Sequence, residues 1–332
     1  MQFNYIEAFK KFLFHKTAIK VFKWAIMAFI LWYLIGSLHN ERQLGWRIYH
    51  EMQALVHRGT IVLLLIPVAL VFLNWSLEAV KWQMLSLRIE KLTFRESLAG
   101  VLAGQSLAFV TPQSLGDYAG RVWNLKNSGR LEAIGAVLLG KWVQSIVTGM
   151  FGSLGLLCVL SRELSWTLNG TILAGIGTCF VWLGLIFLLM NKRNRFIAFL
   201  QSILGKRLIK YIDVVRFYRG EEIVKIMLLA TGRYLVFSLQ FFMIIELFNP
   251  ELMPSVILAG ITWMFLIKSV MPAINIFTDL GVREMAVVYF FGYYEVNMAV
   301  IILASVLLWI FNILLPTFAG LFYVYRLKIT SA

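Results

Sequence analysis

Long apolar segments alternate with short polar segments along most of this chain. Apolar runs of about 18 residues or more are typical of membrane-spanning helices, because about 20 residues of α-helix cross the hydrocarbon core of a bilayer. The pattern predicts six such spans, near residues 21–38, 60–82, 132–160, 168–190, 223–247 and 298–325. We therefore expect an all-α integral membrane protein with about six full spans.

Two further apolar stretches are too short to cross a bilayer. They cover residues 98–110 and 256–271, and each is followed by a proline, Pro112 or Pro272, and then by a polar break. Short apolar runs that end at such a break are better interpreted as re-entrant segments, which enter and leave the membrane on one side. The predicted re-entrant hairpins cover residues 97–131 and 252–297.

The composition supports a membrane protein. Of 332 residues, 60% are hydrophobic and 14% are charged, whereas a soluble domain carries roughly a quarter charged residues. The two cysteines, Cys158 and Cys179, lie in apolar runs and form neither a disulfide framework nor a zinc-binding spacing. No catalytic motif stands out. We therefore expect no enzymatic activity, no cofactor and no metal site.

The formal net charge of +14 is explained by the distribution of lysine and arginine. With a cytoplasmic N-terminus and re-entrant hairpins, the cytoplasmic segments hold 21 of these residues and the outer segments hold 4. Cytoplasmic loops of membrane proteins carry such an excess. The asymmetry predicts a multi-pass protein of the inner (plasma) membrane with both termini in the cytoplasm, and no nucleic-acid partner.

The order of spans and hairpins predicts an inverted repeat within a single membrane domain, residues 1–325. The first half (20–190) and the second half (223–325) each place a hairpin between two spans, one opening from the cytoplasm and the other from outside. Residues 191–222 between the halves form a basic cytoplasmic linker. Apolar residues recur at helical spacing over 193–216, which predicts a helix on the inner leaflet.

Several ionisable residues stand inside apolar runs, where they are costly and usually face the interior of a helix bundle. Glu78 and Lys81 are three residues apart on one helical face and are expected to pair. Lys141 and Arg233 each lie about ten residues into a predicted span, roughly 15 Å deep at 1.5 Å per residue. Two interpretations of the basic residues stay open: internal salt bridges, or a binding site for an anion such as phosphate.

The two breaks predict where an anion would bind. A helix that begins inside the membrane directs its free N–H groups and its positive end toward whatever fills the cavity. We expect Arg121 and Arg283 to grip an anionic headgroup, with Lys141 and Arg233 lowering the barrier between them. Acidic residues would hold these cations, glycines would allow the chain to turn, and prolines would end the helices. These supporting residues are Asp117, Asp279, Glu284, Gly116, Gly281, Pro112 and Pro272.

Four segments carry a family resemblance: Thr111–Arg121 and Leu280–Glu284 at the two breaks, and Glu132–Lys141 and Ala304–Leu308 in the helices that follow them. They resemble the two signatures, and the helices after those signatures, of a flippase-like membrane family that includes the membrane region of lysylphosphatidylglycerol synthetases. The resemblance extends over about residues 20 to 325 and implies the handling of lipid or lipid-linked material. The soluble aminoacyl-transfer domain of the synthetases has no counterpart in this sequence, so the resemblance does not imply synthetase activity.

Two functional hypotheses follow. In the first, the protein binds or translocates an anionic lipid or a lipid-linked intermediate across the bilayer, with membrane lipids as its partners. In the second, it is a non-transporting accessory membrane subunit for a separate glycosyl- or aminoacyl-transferase. A membrane-embedded enzyme is a weaker third reading, because paired catalytic groups are missing.

Overall fold

The computed structural model of the chain describes residues 59–111, 114–123, 125, 130–191, 218–271, 276–294 and 296–326, together with 46, 49, 50 and 53. Within these residues all regular secondary structure is helical, as the apolar pattern predicts. Four features predicted from the sequence lie outside the described residues: the span at 21–38, the interfacial helix at 193–216, and the two prolines Pro112 and Pro272.

The helices of the described residues are numbered here in chain order. They are α1 (Leu65–Ser86), α2 (Phe94–Val110), α3 (Leu115–Trp123), α4 (Arg130–Glu163), α5 (Leu168–Asn191), α6 (Gly220–Phe248), α7 (Pro254–Val270), α8 (Ile276–Phe291), α9 (Met298–Trp309) and α10 (Leu315–Arg326). A 3₁₀ turn, Thr60–Leu64, precedes α1, and a π-helical turn, Ile310–Leu314, joins α9 to α10 without a break.

Five helical segments in the described part of the chain are long and apolar enough to cross a membrane. They are Ile61–Ser86, Glu132–Glu163, Leu168–Phe187, Gly220–Phe248 and Met298–Tyr325. Each coincides with a span that the sequence predicts, and the last consists of α9, the π turn and α10. The chain is therefore an all-α, multi-pass membrane protein.

The two shorter apolar stretches form helical hairpins, because α2 packs along α3 and α7 packs along α8. Helix α2 begins at a capping box: the Thr93 hydroxyl accepts from the Glu96 N–H at 3.3 Å, and the Glu96 carboxylate accepts from the Thr93 N–H at 2.9 Å. Helix α7 begins with Pro254. Proline has no N–H, but this loses no hydrogen bond here, because an N–H in the first turn of a helix has no helical acceptor.

The predicted role of the two break glycines is wrong. Gly116 is the second residue of α3 and Gly281 lies inside α8, so neither glycine makes the turn. The left-handed residue at the first break is Ser114, with φ 55°. Gly116 serves close packing instead, because a Cβ at this position would overlap the backbone of Leu107 on α2.

Two close helix crossings connect the first half of the chain with the second half. Helix α10 packs against α2 at Gly320, and α4 packs against α7 at Gly155. A Cβ at Gly320 would overlap the carbonyl oxygen of Leu102, and a Cβ at Gly155 would overlap the backbone nitrogen of Trp263. Small residues allow helix backbones to approach closely in membrane proteins, where packing drives association.

Polar contacts identify the two ends of the bundle. At one end, named here the Arg88 end, Arg88 after α1 pairs with Glu222 of α6 at 2.8 Å. At the opposite end, named the Arg162 end, Arg162 of α4 donates a hydrogen bond to the carbonyl oxygen of Tyr293 after α8 at 3.1 Å. Helices α1 and α6 pack along each other, and they are antiparallel, because the end of α1 and the start of α6 both lie at the Arg88 end.

Replacing Gly320 by alanine should destabilise the protein. Overpacking of this kind costs about 1–3 kcal/mol, which exceeds the helix-propensity gain of about 1 kcal/mol from glycine to alanine. Gly177→Ala on α5 is the matched control, because a Cβ there meets no atom within 4 Å, and it should be neutral or slightly stabilising. Thermal unfolding in detergent compares the two variants. An equal loss of stability in both would contradict the tight crossing.

Candidate functional site

A cavity of about 790 Å³ lies in the interior of the bundle. Helices α1 to α4, α6 to α8 and the π turn contribute to its lining. Both hairpin breaks border it, the first through Ser114 and the second through Met271, and the first turns of α3 and α8 line it through Asp117 and Asp279. Two helix N-termini therefore lie beside the same cavity, where the positive ends of the helix dipoles favour an anion.

Glu78 of α1 is the centre of the charge network in the cavity wall. Its carboxylate pairs with Lys81 at 2.6 Å, with Arg121 of α3 at 2.9 Å and with Arg233 of α6 at 2.8 Å. The sequence predicts only the pair with Lys81, which does form. Because Glu78 is buried, its three partners replace the water that a carboxylate would otherwise need.

Each hairpin contains one aspartate held between an arginine and a lysine. Asp117 pairs with Arg121 at 2.7 Å and with Lys141 of α4 at 3.0 Å. Asp279 pairs with Arg283 at 3.2 Å and with Lys268 of α7 at 3.2 Å. The four-residue spacing places each aspartate and arginine on one helical face. An acidic residue in the first turn also interacts favourably with the helix dipole.

The charges in the cavity wall are not balanced. Six cations and three carboxylates line the cavity: Lys81, Arg121, Lys141, Arg233, Lys268 and Arg283, with Glu78, Asp117 and Asp279. Their formal sum is +3. Electrostatic interactions are stronger in a protein interior than in water, because the effective dielectric constant is lower. This wall therefore favours an anion over a neutral group or a cation.

The exposed fraction of each side chain distinguishes the cations that a ligand can contact from those that are buried in the cavity wall. The side chains of Lys141, Lys268 and Arg233 are 35%, 29% and 25% exposed. The side chain of Arg121 is 8% exposed and its guanidinium binds two carboxylates, and Arg283 is fully buried. In this conformation Lys141, Lys268 and Arg233 are the cations of the wall with side-chain surface open to contact with a ligand. The two arginines that the sequence assigns to that contact are instead buried within the wall.

Glu284 does not hold any of these cations, which corrects the role predicted for it. It follows Arg283 on α8, and one residue of helix turns the side chain by about 100°, away from the face that carries Asp279. Neither carboxylate oxygen has a hydrogen-bond partner among the described residues. The carboxyl group lies close to Ser305 of α9.

The cavity wall becomes aromatic toward the Arg162 end. Phe237 lines the cavity one turn beyond Arg233 on α6, and its ring stacks on Phe265 of α7 with centroids 5.1 Å apart. Tyr234 also lines the cavity and stacks on Phe151 of α4 at 4.7 Å. These rings lie between the charged wall and the Arg162 end, so the cavity is polar in its middle and apolar on that side.

Sequence reasoning missed two residues of the wall, Glu78 as a shared partner of three cations and Lys268 as a cation that lines the cavity. A repeated pattern in the sequence could have indicated Lys268 as a residue of the site. Asp-x-x-x-Arg occurs at 117–121 and again at 279–283, and Lys268 stands in the last turn of the helix before the second copy. Glu78 carries no comparable local signal.

The fold and the cavity define a multi-pass membrane protein with a cation-rich site inside its helix bundle. The family model described as lysylphosphatidylglycerol synthase TM region matches residues 20–320, and the chain belongs to this family. The resemblance seen in the sequence is thereby confirmed. No curated protein and no solved structure matches the chain significantly.

Proposed function

We propose that this protein binds the anionic headgroup of a membrane lipid, or of a lipid-linked intermediate, and transfers it between the two leaflets. The observation that carries the proposal is the formal charge of +3 in a wall that exposes Lys141, Arg233 and Lys268. A charge at the centre of a bilayer costs several kcal/mol or more. A cationic cavity inside the bundle lowers that barrier for an anionic headgroup.

The surface beside the two hairpin breaks favours a lipid over a water-soluble anion. Val110 and Leu115 flank the first break and Val270 stands before the second, and all three apolar side chains are exposed. In a membrane such side chains contact hydrocarbon. The acyl chains of a lipid can therefore remain in the bilayer beside the breaks while the headgroup enters the cavity. The description of the family to which this chain belongs also names the membrane region of a lipid synthase.

The pattern of helix contacts supports an inverted repeat. Exchange of the halves replaces α1 by α6, α2 by α7, α3 by α8, and α4 by the continuous helix of α9 and α10. The same exchange converts the α4–α7 crossing into the α10–α2 crossing, each with a glycine at the contact. It also converts the Asp117–Arg121 pair into the Asp279–Arg283 pair. Repeats of this kind can expose one site alternately to each side of a membrane.

The proposed topology has six spans, with both termini in the cytoplasm of an inner (plasma) membrane. It adds the span at 21–38 to the five described above and places the linker at 191–222 on the cytoplasmic side. The support is the excess of basic residues in the segments assigned to the cytoplasm. In this orientation the Arg88 end is cytoplasmic, and the aromatic wall lies between the cavity and the outside.

Between transfer events, the carboxylates of the wall would pair with the lysines in place of the headgroup. Lys141 and Lys268 contact their aspartates at 3.0 and 3.2 Å, slightly longer than the roughly 2.7–2.9 Å usual for charge-assisted hydrogen bonds. The phosphate of an incoming headgroup can replace the aspartates as the partner of these exposed lysines. The lysines then keep a negative counter-charge throughout. Arg121 and Arg283 would keep the two aspartates in position while the lysines change partner.

A second candidate function is an accessory membrane subunit for a separate transferase or synthetase. It is favoured by the family description, which names the membrane region of a synthase. Such a subunit would bind an anionic lipid and present it to its partner, but it would not transfer the headgroup across the bilayer by itself.

The test is a leaflet-transfer assay with the purified protein in liposomes that contain fluorescent phosphatidylglycerol. A membrane-impermeant reductant destroys the label only in the outer leaflet, so loss of the protected fraction reports transfer. We expect the protein to expose the protected label, and a fluorescent phosphatidylcholine to be transferred much more slowly. Binding of phosphatidylglycerol without transfer would favour the accessory subunit, and neither binding nor transfer would contradict both functions.

A further inference from the structure

Glu284 is a buried acid that the charge network of the cavity does not include. It is 7% exposed, and both carboxylate oxygens are without a hydrogen-bond partner among the described residues. Two other polar groups on α9 are in the same situation, the Ser305 hydroxyl and the Trp309 indole N–H. Native structures leave few buried polar groups unpaired, and each such group needs an explanation.

No cation among the described residues is hydrogen-bonded to the Glu284 carboxyl group. Helix α9, which packs against α8, has no ionisable residue over Met298–Trp309. On α7, the other helix packed against α8, the ionisable residue is Lys268, which pairs with Asp279. On α8 itself, Arg283 donates from Nε to Asp279. A carboxylate buried without a partner is far more costly than a neutral carboxyl group, so this environment favours the protonated acid.

Arg283 connects Glu284 with the cavity. Its Nη1 and Nη2 atoms are buried and have no hydrogen-bond partner among the described residues, although its Nε is held by Asp279. Arg283 is also close enough to Glu284 for their charges to interact. A negative charge on Glu284 would therefore attract the Nη atoms, and the movement of the guanidinium would weaken the hydrogen bond of its Nε to Asp279, which Lys268 of the cavity wall shares.

We propose that Glu284 is a proton-binding site, and that uptake and release of its proton couple headgroup transfer to a proton gradient. The coupling rests on the proposed transfer function. With the proton bound, Arg283 stays with Asp279 and the wall keeps the arrangement seen here. With the proton released, the carboxylate draws Arg283 toward α9 and changes how Asp279 holds Lys268. Ionisable residues inside membrane proteins commonly serve such proton relays.

The position of Glu284 suits this role. It lies on α8 between the cavity, which borders the first turn of that helix, and the Arg162 end, where α8 finishes. A proton that moves along α8 from the Arg162 end would meet Glu284 before Arg283 and Asp279 of the cavity wall. The Ser305 hydroxyl beside the carboxyl group can accept a hydrogen bond from the protonated acid.

Two measurements test the proposal, both with Glu284→Gln, which resembles the protonated side chain in size and charge. The first is infrared difference spectroscopy of the purified wild type against the variant at neutral pH. A carboxylic-acid carbonyl band that is present in the wild type and absent from the variant is the expected result. A carboxylate signal in its place would overturn the proposal, whatever the outcome of any transfer assay.

The second measurement is leaflet transfer of fluorescent phosphatidylglycerol under a gradient of one pH unit. Such a gradient is worth about 1.4 kcal/mol per proton, so the wild type should accumulate label in one leaflet by up to about tenfold. Glu284→Gln should still exchange label but leave it evenly distributed. Glu246→Gln, at an exposed position on α6, is the control and should keep the accumulation.

The outcomes separate the two proposals. Transfer by the wild type without accumulation, or accumulation that persists in Glu284→Gln, would overturn the coupling and leave the transfer function standing. Absence of any transfer by the wild type would overturn the proposed function and the coupling together. The infrared band would still decide whether Glu284 carries a proton.

Discussion

Glu78→Gln should leave the protein severely destabilised. The single carboxylate of Glu78 neutralises Lys81, Arg121 and Arg233 at 2.6–2.9 Å. Removing one partner of a buried ion pair costs about 3–5 kcal/mol, because the remaining charge is left uncompensated. Here two cations, Lys81 and Arg233, would lose the carboxylate that neutralises them, whereas Arg121 would keep Asp117. A loss of this size is a large part of the roughly 5–15 kcal/mol that stabilises a typical protein.

Size-exclusion profiles and thermal unfolding in detergent measure this effect, with the exposed Glu246→Gln as the control. Adding Lys81→Met to Glu78→Gln removes one of the uncompensated cations. The double variant should regain part of the lost stability, because the effects of substitutions within one charge network on the free energy of unfolding are not additive. A Glu78→Gln protein as stable as the control, or a double variant worse than the sum of its parts, would contradict the network.

The five described membrane spans and the two helical hairpins could be predicted from the sequence because they depend on local properties. An apolar run of given length is sufficient to predict a span, and a short run that ends at a proline is sufficient to predict a hairpin. The Asp–Arg pairs were also accessible, since a spacing of four residues places both side chains on one face of any helix. Asp117 with Arg121 and Asp279 with Arg283 follow from this rule.

The long-range part of the site could not be predicted in the same way. Glu78 and Arg233 are 155 residues apart, and nothing local to either residue indicates that α1 and α6 pack together. The expected pair of Glu78 with Lys81 is correct but incomplete, because it uses only the neighbours along one helix. Which cations face the cavity depends on how all the surrounding helices pack, so Arg121 and Arg283 could not be distinguished from Lys141 and Lys268.

The glycines show a second limit of sequence reasoning. Gly116 stands beside a proline break, where a conformational role is the usual interpretation. The structure assigns the left-handed conformation to Ser114 and uses Gly116 for contact with Leu107. A close approach between two helices depends on tertiary structure, so a single sequence gives no indication of it.

Neutralising the three exposed cations should abolish headgroup binding. Lys141, Arg233 and Lys268 are the cations whose side chains are more than about one fifth exposed in the cavity wall. A hydrogen bond to a charged group contributes about 1.5 kcal/mol or more, which corresponds to about tenfold in affinity. Changing all three to glutamine should therefore lower the affinity for an anionic lipid on the order of 1,000-fold, and it reduces the formal charge of the wall from +3 to zero.

The matched control changes three exposed cations outside the cavity, Lys91, Arg95 and Lys225, to glutamine. It removes the same total charge from the protein and so corrects for general attraction to an anionic surface. We expect its lipid affinity to stay within a few-fold of the wild type, because exposed charges are screened by salt. Both triple variants should remain folded, since the buried pairs of Glu78 with Lys81 and Arg121 are intact in each.

Photolabelling with an anionic lipid that carries a photoactivatable group in its headgroup shows whether the headgroup binds inside the cavity. After irradiation in liposomes, mass spectrometry of the peptides locates the headgroup on the chain. We expect adducts on the cavity-lining parts of α6 and α7, around Phe237 and Phe265, in the wild type and in the Lys91, Arg95 and Lys225 control. These adducts should disappear in the cavity variant and with a zwitterionic headgroup. Adducts confined to the outer surface of α5, or cavity adducts that survive neutralisation of Lys141, Arg233 and Lys268, would contradict binding of the headgroup by these cations inside the cavity.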